Sequence, residues 1–234
     1  EHRDKLLDYS TDPIDGTTIR GMRRSQSWAD NQVVFFEIQF SKPIGSIVSL
    51  PQGMSIYEPD SFSEPKTMAF YFDLKDGDEL LVKVGISAVD VEGASANLQS
   101  EIPHWDFDLI RQESSRAWNN ELAKIQVEGD ETDKVIFYSA LYHTMVAPNL
   151  FSDVDGRYRK MVRKDSIQNE LEIGQLTEGE NQYTVFSLWD TYRATHPLYT
   201  LIDEKRSNEF IRTFLRQYKD GGQLPVWELS GNYT

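Results

Sequence analysis

The hydrophobic period of the chain changes once, near Pro103, and that change constrains the fold more than any other feature. Before it, apolar residues alternate. "VVFFEIQF" sets Val34, Phe36, Ile38 and Phe40 on one face and Val33, Phe35, Glu37 and Gln39 on the other. "MAFYFDL" aligns Met68, Phe70, Phe72 and Leu74, and "LLVKVGIS" aligns Leu80, Val82, Val84 and Ile86. Such alternation suits antiparallel strands with one better-buried face. Asp76-Gly77 stands at hairpin spacing between the last two segments. Strand after strand without a helical period predicts part of an antiparallel β-sandwich over residues 1–102.

After Pro103 the spacing becomes three and four. Phe107, Ile110, Trp118, Leu122 and Ile125 form a mostly apolar stripe behind Asp106, a residue suited to an N-cap. "TDKVIFYSALYHTMV" aligns Phe137, Leu141 and Met145, with Thr132 as its cap. "SLWDTYRATHPLYTLI" reads as a third helix that Pro197 ends or kinks at about His196. The fourth starts at Asp203, carries Phe210, Ile211, Phe214, Leu215 and Tyr218, and stops at Gly221. The expected plan is multi-domain, β then α: sandwich, a linking helix region over 103–130, and a helical domain from 131 to 234.

Charge narrows the partners. Twenty-four Lys and Arg against 38 Asp and Glu give a net charge of −14, which repels nucleic acid and tolerates neutral sugars and bound cations. The chain has no cysteine, so disulfides and zinc-thiolate sites are excluded. No run reaches the roughly 20 apolar residues of a spanning helix. The opening "EHRDKLLDYS" is charged and carries no signal-peptide pattern, and "LPVWELSGNYT" stops in mid-motif. The expectation is a piece of a longer protein.

Within the polar stretch Ser152–Tyr183, "DVDGRY" has the start of a calcium loop but no glutamate at the twelfth position. A hairpin turn at Asp155-Gly156 is the better reading. His143, alone on an apolar helix, reads as a core or interface residue before it reads as a ligand. "WDTYR" carries two readings. On a helix Asp190 and Arg193 are i and i+3 and can pair. A carboxylate and a guanidinium beside Trp189 are also the parts of a sugar site, where charged groups grip hydroxyls and a ring covers the apolar pyranose face. Trp227, Glu228 and Asn232 follow a helix stop and would complete such a site if the two loops met. No nucleophile elbow and no phosphate-binding glycine loop is present.

"YTVFSLWDTYRATHPL", then a helix and "GGQLPVWELSGNYT", resemble the α-mannosidases of glycoside hydrolase family 92. "GMRRSQSWADNQVVFFEIQFSKPI", "VKVGISAVDVEGASANLQSEIPHWDFD" and "FYSALYHTMVAPNLFSDVDGRYR" resemble the same family in the same order. The resemblance implies an N-terminal β-sandwich, linking helices and an (α/α)6 barrel that together form the active site. It implies exo-acting, Ca2+-dependent, inverting removal of mannose from α-mannosides, often α-1,2-linked, in N-glycans and yeast mannans. It implies export to the periplasm or cell surface.

By the family's WDTxR motif, Asp190 would hold the terminal mannose, with Arg193 and Trp189 beside it; Trp227 and Glu228 match the rim motif. The resemblance also implies a sandwich that begins upstream of Glu1 and a barrel that continues past Thr234. The acid and base carboxylates and most calcium contacts would then lie outside this chain. Tyr233 stands where many relatives carry glutamate. Without those carboxylates the chain could instead be a carbohydrate-binding module on the sandwich, or a structural fragment.

Overall fold

The computed structural model describes residues 5–50, 67–161 and 171–233. The charged opening at 1–4, residues 162–170 of the polar stretch, and Thr234 lie outside the described residues. Two compact units result: Glu1–Trp105 with Asp153–Arg157, and Asp106–Ser152 with Tyr158–Thr234.

The first unit contains β1 (Lys5–Pro13), β2 (Thr18–Gln26), β3 (Gln32–Phe40), β4 (Ser46–Leu50), β5 (Thr67–Tyr71), β6 (Val82–Ser87) and α1 (Val91–Glu101). The order β1-β2-β3-β6 makes a four-stranded antiparallel sheet, and β4 with β5 makes a second. The two sheets meet where the buried Phe40 ring contacts Phe70 at 5.6 Å and Phe72 at 5.1 Å. Tilted rings at these separations attract one another and exclude water together.

One sequence expectation changes here. Asp76-Gly77 does form a tight turn, with Gly77 at φ 85° and Asp78 N–H donating to Lys75 O at 3.0 Å. It does not join a hairpin, because β5 pairs with β4 while β6 pairs with β3. The turn carries the chain from one sheet to the other, which turn chemistry alone cannot reveal.

The second face of β3 is covered as well, by a helix the period had not announced. Asp90 caps α1 by accepting from Gly93 N–H at 2.7 Å. The buried face of this helix is Gly93, Ala94, Ser95, Asn97 and Leu98, mostly small residues, so it has almost no apolar stripe. It reaches the sheet because Gly85 has no Cβ; one there would stand 2.3 Å from Ala94 O. Under it Glu37 is buried, held by Arg20 Nε at 2.6 Å and Gln39 Nε2 at 2.7 Å, while the Arg20 guanidinium also reaches Ser95 Oγ. On the opposite face Val82, Val84 and Ile86 of edge strand β6 are largely exposed.

The Asp153–Arg157 turn belongs to this unit. Gly156 N–H donates to Asp153 O, and Asp153 N–H to Arg157 O. The strands of the expected hairpin find other partners, as described below. The Asp153 carboxylate is buried and accepts from Ser87 Oγ at 2.7 Å and Asn97 Nδ2 at 2.8 Å. Burial pushes its pKa up, whereas Asp90, although partly desolvated, is pulled down by Arg157 and Gly93.

The second unit holds α2 (Phe107–Leu122), α3 (Glu131–Thr144), β7 (Asn149–Leu150), β8 (Arg157–Arg159), β9 (Ile173–Gln175), β10 (Tyr183–Thr184), β11 (Phe186–Ser187), α4 (Leu188–Thr191), α5 (Thr195–Ile202), α6 (Glu204–Gly221), β12 (Trp227–Leu229) and β13 (Asn232–Tyr233). β8 pairs with β9, and β7 with β10. Asp106 and Asp203 cap α2 and α6 as expected. The cap of α3 is Asp130, not Thr132, because Asp130 accepts from Asp133 N–H at 2.9 Å. Gly222 at φ 81°, one residue after the expected stop, is the left-handed C-cap of α6.

The expected third helix is two. The chain breaks at Tyr192–Ala194, ahead of Pro197. Pro197 then sits in the first turn of α5, where a missing N–H costs no intrahelical bond. The core gathers Phe186, Tyr199 and Phe210 with Phe214 against them. The buried stripe of α6 is Phe210, Thr213, Gln217 and Gly221, while Ile211, Leu215 and Tyr218 are exposed. The apolar pattern was therefore wider than the face this unit covers. Lys124 ties α2 to α6, donating to Glu121 at 2.7 Å and Asp203 at 2.5 Å.

Candidate functional site

The two tryptophan-bearing motifs meet. β11 and β12 are antiparallel, with Phe186 opposite Glu228 and Ser187 opposite Trp227. Leu188 N–H continues the ladder to Val226 O at 2.9 Å. Alternation sends Phe186 and Glu228 inward and Ser187 and Trp227 to the other face. α4 starts at the next residue and carries Trp189 and Asp190, both exposed.

Asp190 and Arg193 do not pair. Ser187 stands at the N-cap of α4, but its hydroxyl goes to the Asp190 carboxylate at 2.6 Å rather than to a backbone N–H. The helix ends before Arg193, whose Nε donates to Tyr192 Oη while its guanidinium lies 5.2 Å from that ring. The surface ion pair allowed by helical spacing is thus replaced by two separately anchored groups. Trp189 is 69% exposed, so much of its side chain faces solvent.

Glu228, read from the sequence with the rim motif, faces the other way and is fully buried. Its Oε1 accepts from Gly231 N–H at 2.7 Å and Thr184 Oγ1 at 2.9 Å. Burial, only partly offset by these donors, pushes its pKa up to about 7. Ser230 and Gly231 form the two-residue loop between β12 and β13, both with positive φ, the geometry that matches strand twist in a hairpin. Asn232 is buried too, its amide donating to Leu229 O and Ser230 O.

His143 is exposed at the end of α3, beside the Tyr142 ring, and is not a core residue. Among the described residues no group of three or more His, Asp or Glu is arranged to hold a metal ion. A cleft of about 200 Å3 between the Gly179 turn and α6 is lined by Glu180, Asn181, Lys205, Glu209 and Arg212 among others. It contains none of the five sequence-predicted site residues.

The sequence model of the glycosyl hydrolase family 92 catalytic domain matches residues 93–234. The chain belongs to glycosyl hydrolase family 92. A family GH92 α-mannosidase from Bacteroides thetaiotaomicron superposes with a TM-score of 0.81 at 29% identity, over 98% of this chain and 30% of that one. Its complex with mannoimidazole superposes with a TM-score of 0.80 at 28% identity, over 98% and 30%. A family GH92 inverting mannosidase of the same organism shares the fold at 23% identity and a TM-score of 0.76, over 99% of this chain and 30% of that one.

An uncharacterized secreted glycosidase of Arthroderma benhamiae is 31% identical over 71 residues, which is 28% of this chain and 9% of that protein. This family 92 chain thus spans about a third or less of the length of the relatives it matches. The family's β-then-α architecture is the one observed. Among the described residues no helix is long and apolar enough to cross a membrane.

Proposed function

We propose that this chain is part of an exo-acting, calcium-dependent, inverting α-mannosidase that removes terminal, chiefly α-1,2-linked, mannose from glycans outside the cytoplasm, in the periplasm or at the cell surface. The observation that carries this is the pairing of Ser187 with Trp227, which brings the WDTYR segment and the rim motif together with Trp189 and Asp190 open to solvent. Exposed aromatic rings can cover the apolar face of a pyranose. The Asp190 carboxylate, oriented by Ser187, can accept from sugar hydroxyls, and Arg193 can donate to them.

Trp189, Asp190, Arg193 and Trp227 are the proposed sugar contacts. Hydrolysis with inversion needs a general acid and a general base about 6.5–9.5 Å apart, with water between them. We assign neither role to a residue of this chain; those groups and the calcium ligands would come from other parts of the polypeptide. The α-mannosidase identity of the solved relative and its complex with mannoimidazole support the substrate class.

The deciding experiment is mannose release from α-1,2-mannobiose by the complete polypeptide, with calcium, after chelation, and after calcium is restored. Release that stops and returns supports the reaction and the metal. A folded, calcium-loaded protein that releases no mannose from any linkage, yet binds mannosides on its β-sandwich unit, would overturn the reading in favour of a binding module.

A further inference from the structure

We propose that Glu228 is a positioning residue: from inside the second unit it fixes the backbone that presents Trp189, Asp190 and Trp227, without touching sugar itself. The inference deepens the mannosidase reading and rests on it for what the presented residues do.

Glu228 sits under the site rather than in it. It is fully buried and lies on the inward face of the β11–β12 ladder, whereas its neighbour Trp227 lies on the other face with Ser187. Its carboxylate joins two stretches of chain. Gly231 N–H donates from the hairpin loop, and Thr184 Oγ1 donates from β10. The Thr184 hydroxyl accepts in turn from Ser230 N–H at 2.7 Å, so the loop is tied at two successive residues.

Backbone conformation supplies a second, independent observation. Among the described residues two non-glycine positions have left-handed φ, Val185 at 66° and Ser230 at 51°. Both adjoin this cluster: Val185 directly follows Thr184, whose hydroxyl bonds Glu228, and Ser230 N–H bonds Thr184 Oγ1. A β-branched residue at positive φ is strained and persists only where its surroundings over-determine it. Val185 is two residues before Ser187, whose hydroxyl orients Asp190, and Ser230 is three after Trp227. Releasing either strained residue would let β11 or the hairpin relax and would shift the aromatic and carboxylate groups they carry.

The test uses the complete polypeptide labelled with 5-fluorotryptophan, comparing wild type, Glu228→Gln, Asp190→Asn and the double variant. In the fluorine spectrum Glu228→Gln should move the Trp189 and Trp227 resonances and leave that of Trp28, in the other unit, in place. In mannose release it should cost about 10-fold alone but less than about 2-fold on top of Asp190→Asn, because a residue that acts through Asp190 has little left to act on.

Unmoved resonances would overturn the proposal, as would additive losses, which mark an independent contact. Wild type that releases no mannose from any α-mannoside, while the resonances still move, would sink the mannosidase reading and leave the positioning role standing. Should Glu228→Gln fail to fold, Thr184→Val removes one donor of the cluster and is read in the same two ways.

Discussion

Ser187 faces Trp227 across an antiparallel ladder and, from the same position, donates its hydroxyl to the Asp190 carboxylate at 2.6 Å. One small residue therefore joins the rim motif to the WDTYR motif and sets the direction of the acidic group between them.

Asp190→Asn is expected to leave the fold intact, since the carboxylate is exposed and its hydrogen-bond partner is the Ser187 hydroxyl. It should lower mannose release by the complete enzyme at least about 100-fold, the scale of losing a charged transition-state contact of roughly 2.7 kcal/mol. Ser187→Ala, which frees the carboxylate to rotate, should cost about 3- to 10-fold. Unchanged turnover in Asp190→Asn would remove Asp190 from the site.

Gly93→Ala should destabilise the first unit by about 2 kcal/mol through overpacking, although alanine is the better helix former. Its Cβ would stand 2.2 Å from Asp153 Oδ2 and 2.8 Å from Ser87 Oγ. Thermal unfolding of Gly93→Ala, Asp153→Ala and the double variant checks this. Neighbours that share one clash should be less than additive, and a stabilised Gly93→Ala would show that the Asp153 turn gives way easily.

Stability should depend on the Glu228 proton. The folded pKa of about 7 lies above the ordinary carboxylate value of 4.5, so the folded state holds the proton more tightly than the unfolded one. The contribution is full below about pH 4.5 and is lost as pH rises towards and through 7, amounting to about 3 kcal/mol. Glu228→Gln should flatten the wild-type decline across that window in denaturant titrations at a series of pH values. Parallel curves for the two proteins would assign the decline to other groups.

Arg20→Ala should cost about 3 kcal/mol, because it strips the guanidinium from a carboxylate that is 1% exposed. Replacing both partners, as Arg20→Met with Glu37→Gln, should recover most of that loss in the urea midpoint. A single variant as stable as wild type would show that Gln39 and solvent satisfy Glu37 unaided.

The sequence by itself determined the order of β unit and helices, because periods of two and of three to four are local consequences of strand and helix geometry. It also determined the Asp106 and Asp203 caps, since a capping carboxylate reaches only the N–H groups that follow it. The WDTYR and WELSGN motifs were legible as separate segments of sugar-site chemistry.

Pairing was decided only in three dimensions. Nothing local makes β5 choose β4 over β6, or sets Ser187 opposite Trp227, because ladder partners are selected by burial across long loops. The same reason hid α1, whose small residues serve close packing over Gly85 rather than an apolar stripe. It also hid the direction of Glu228. Strand alternation fixed only that it opposes Trp227; the core of Phe186, Tyr199 and Phe210 decided which face of that ladder is inside.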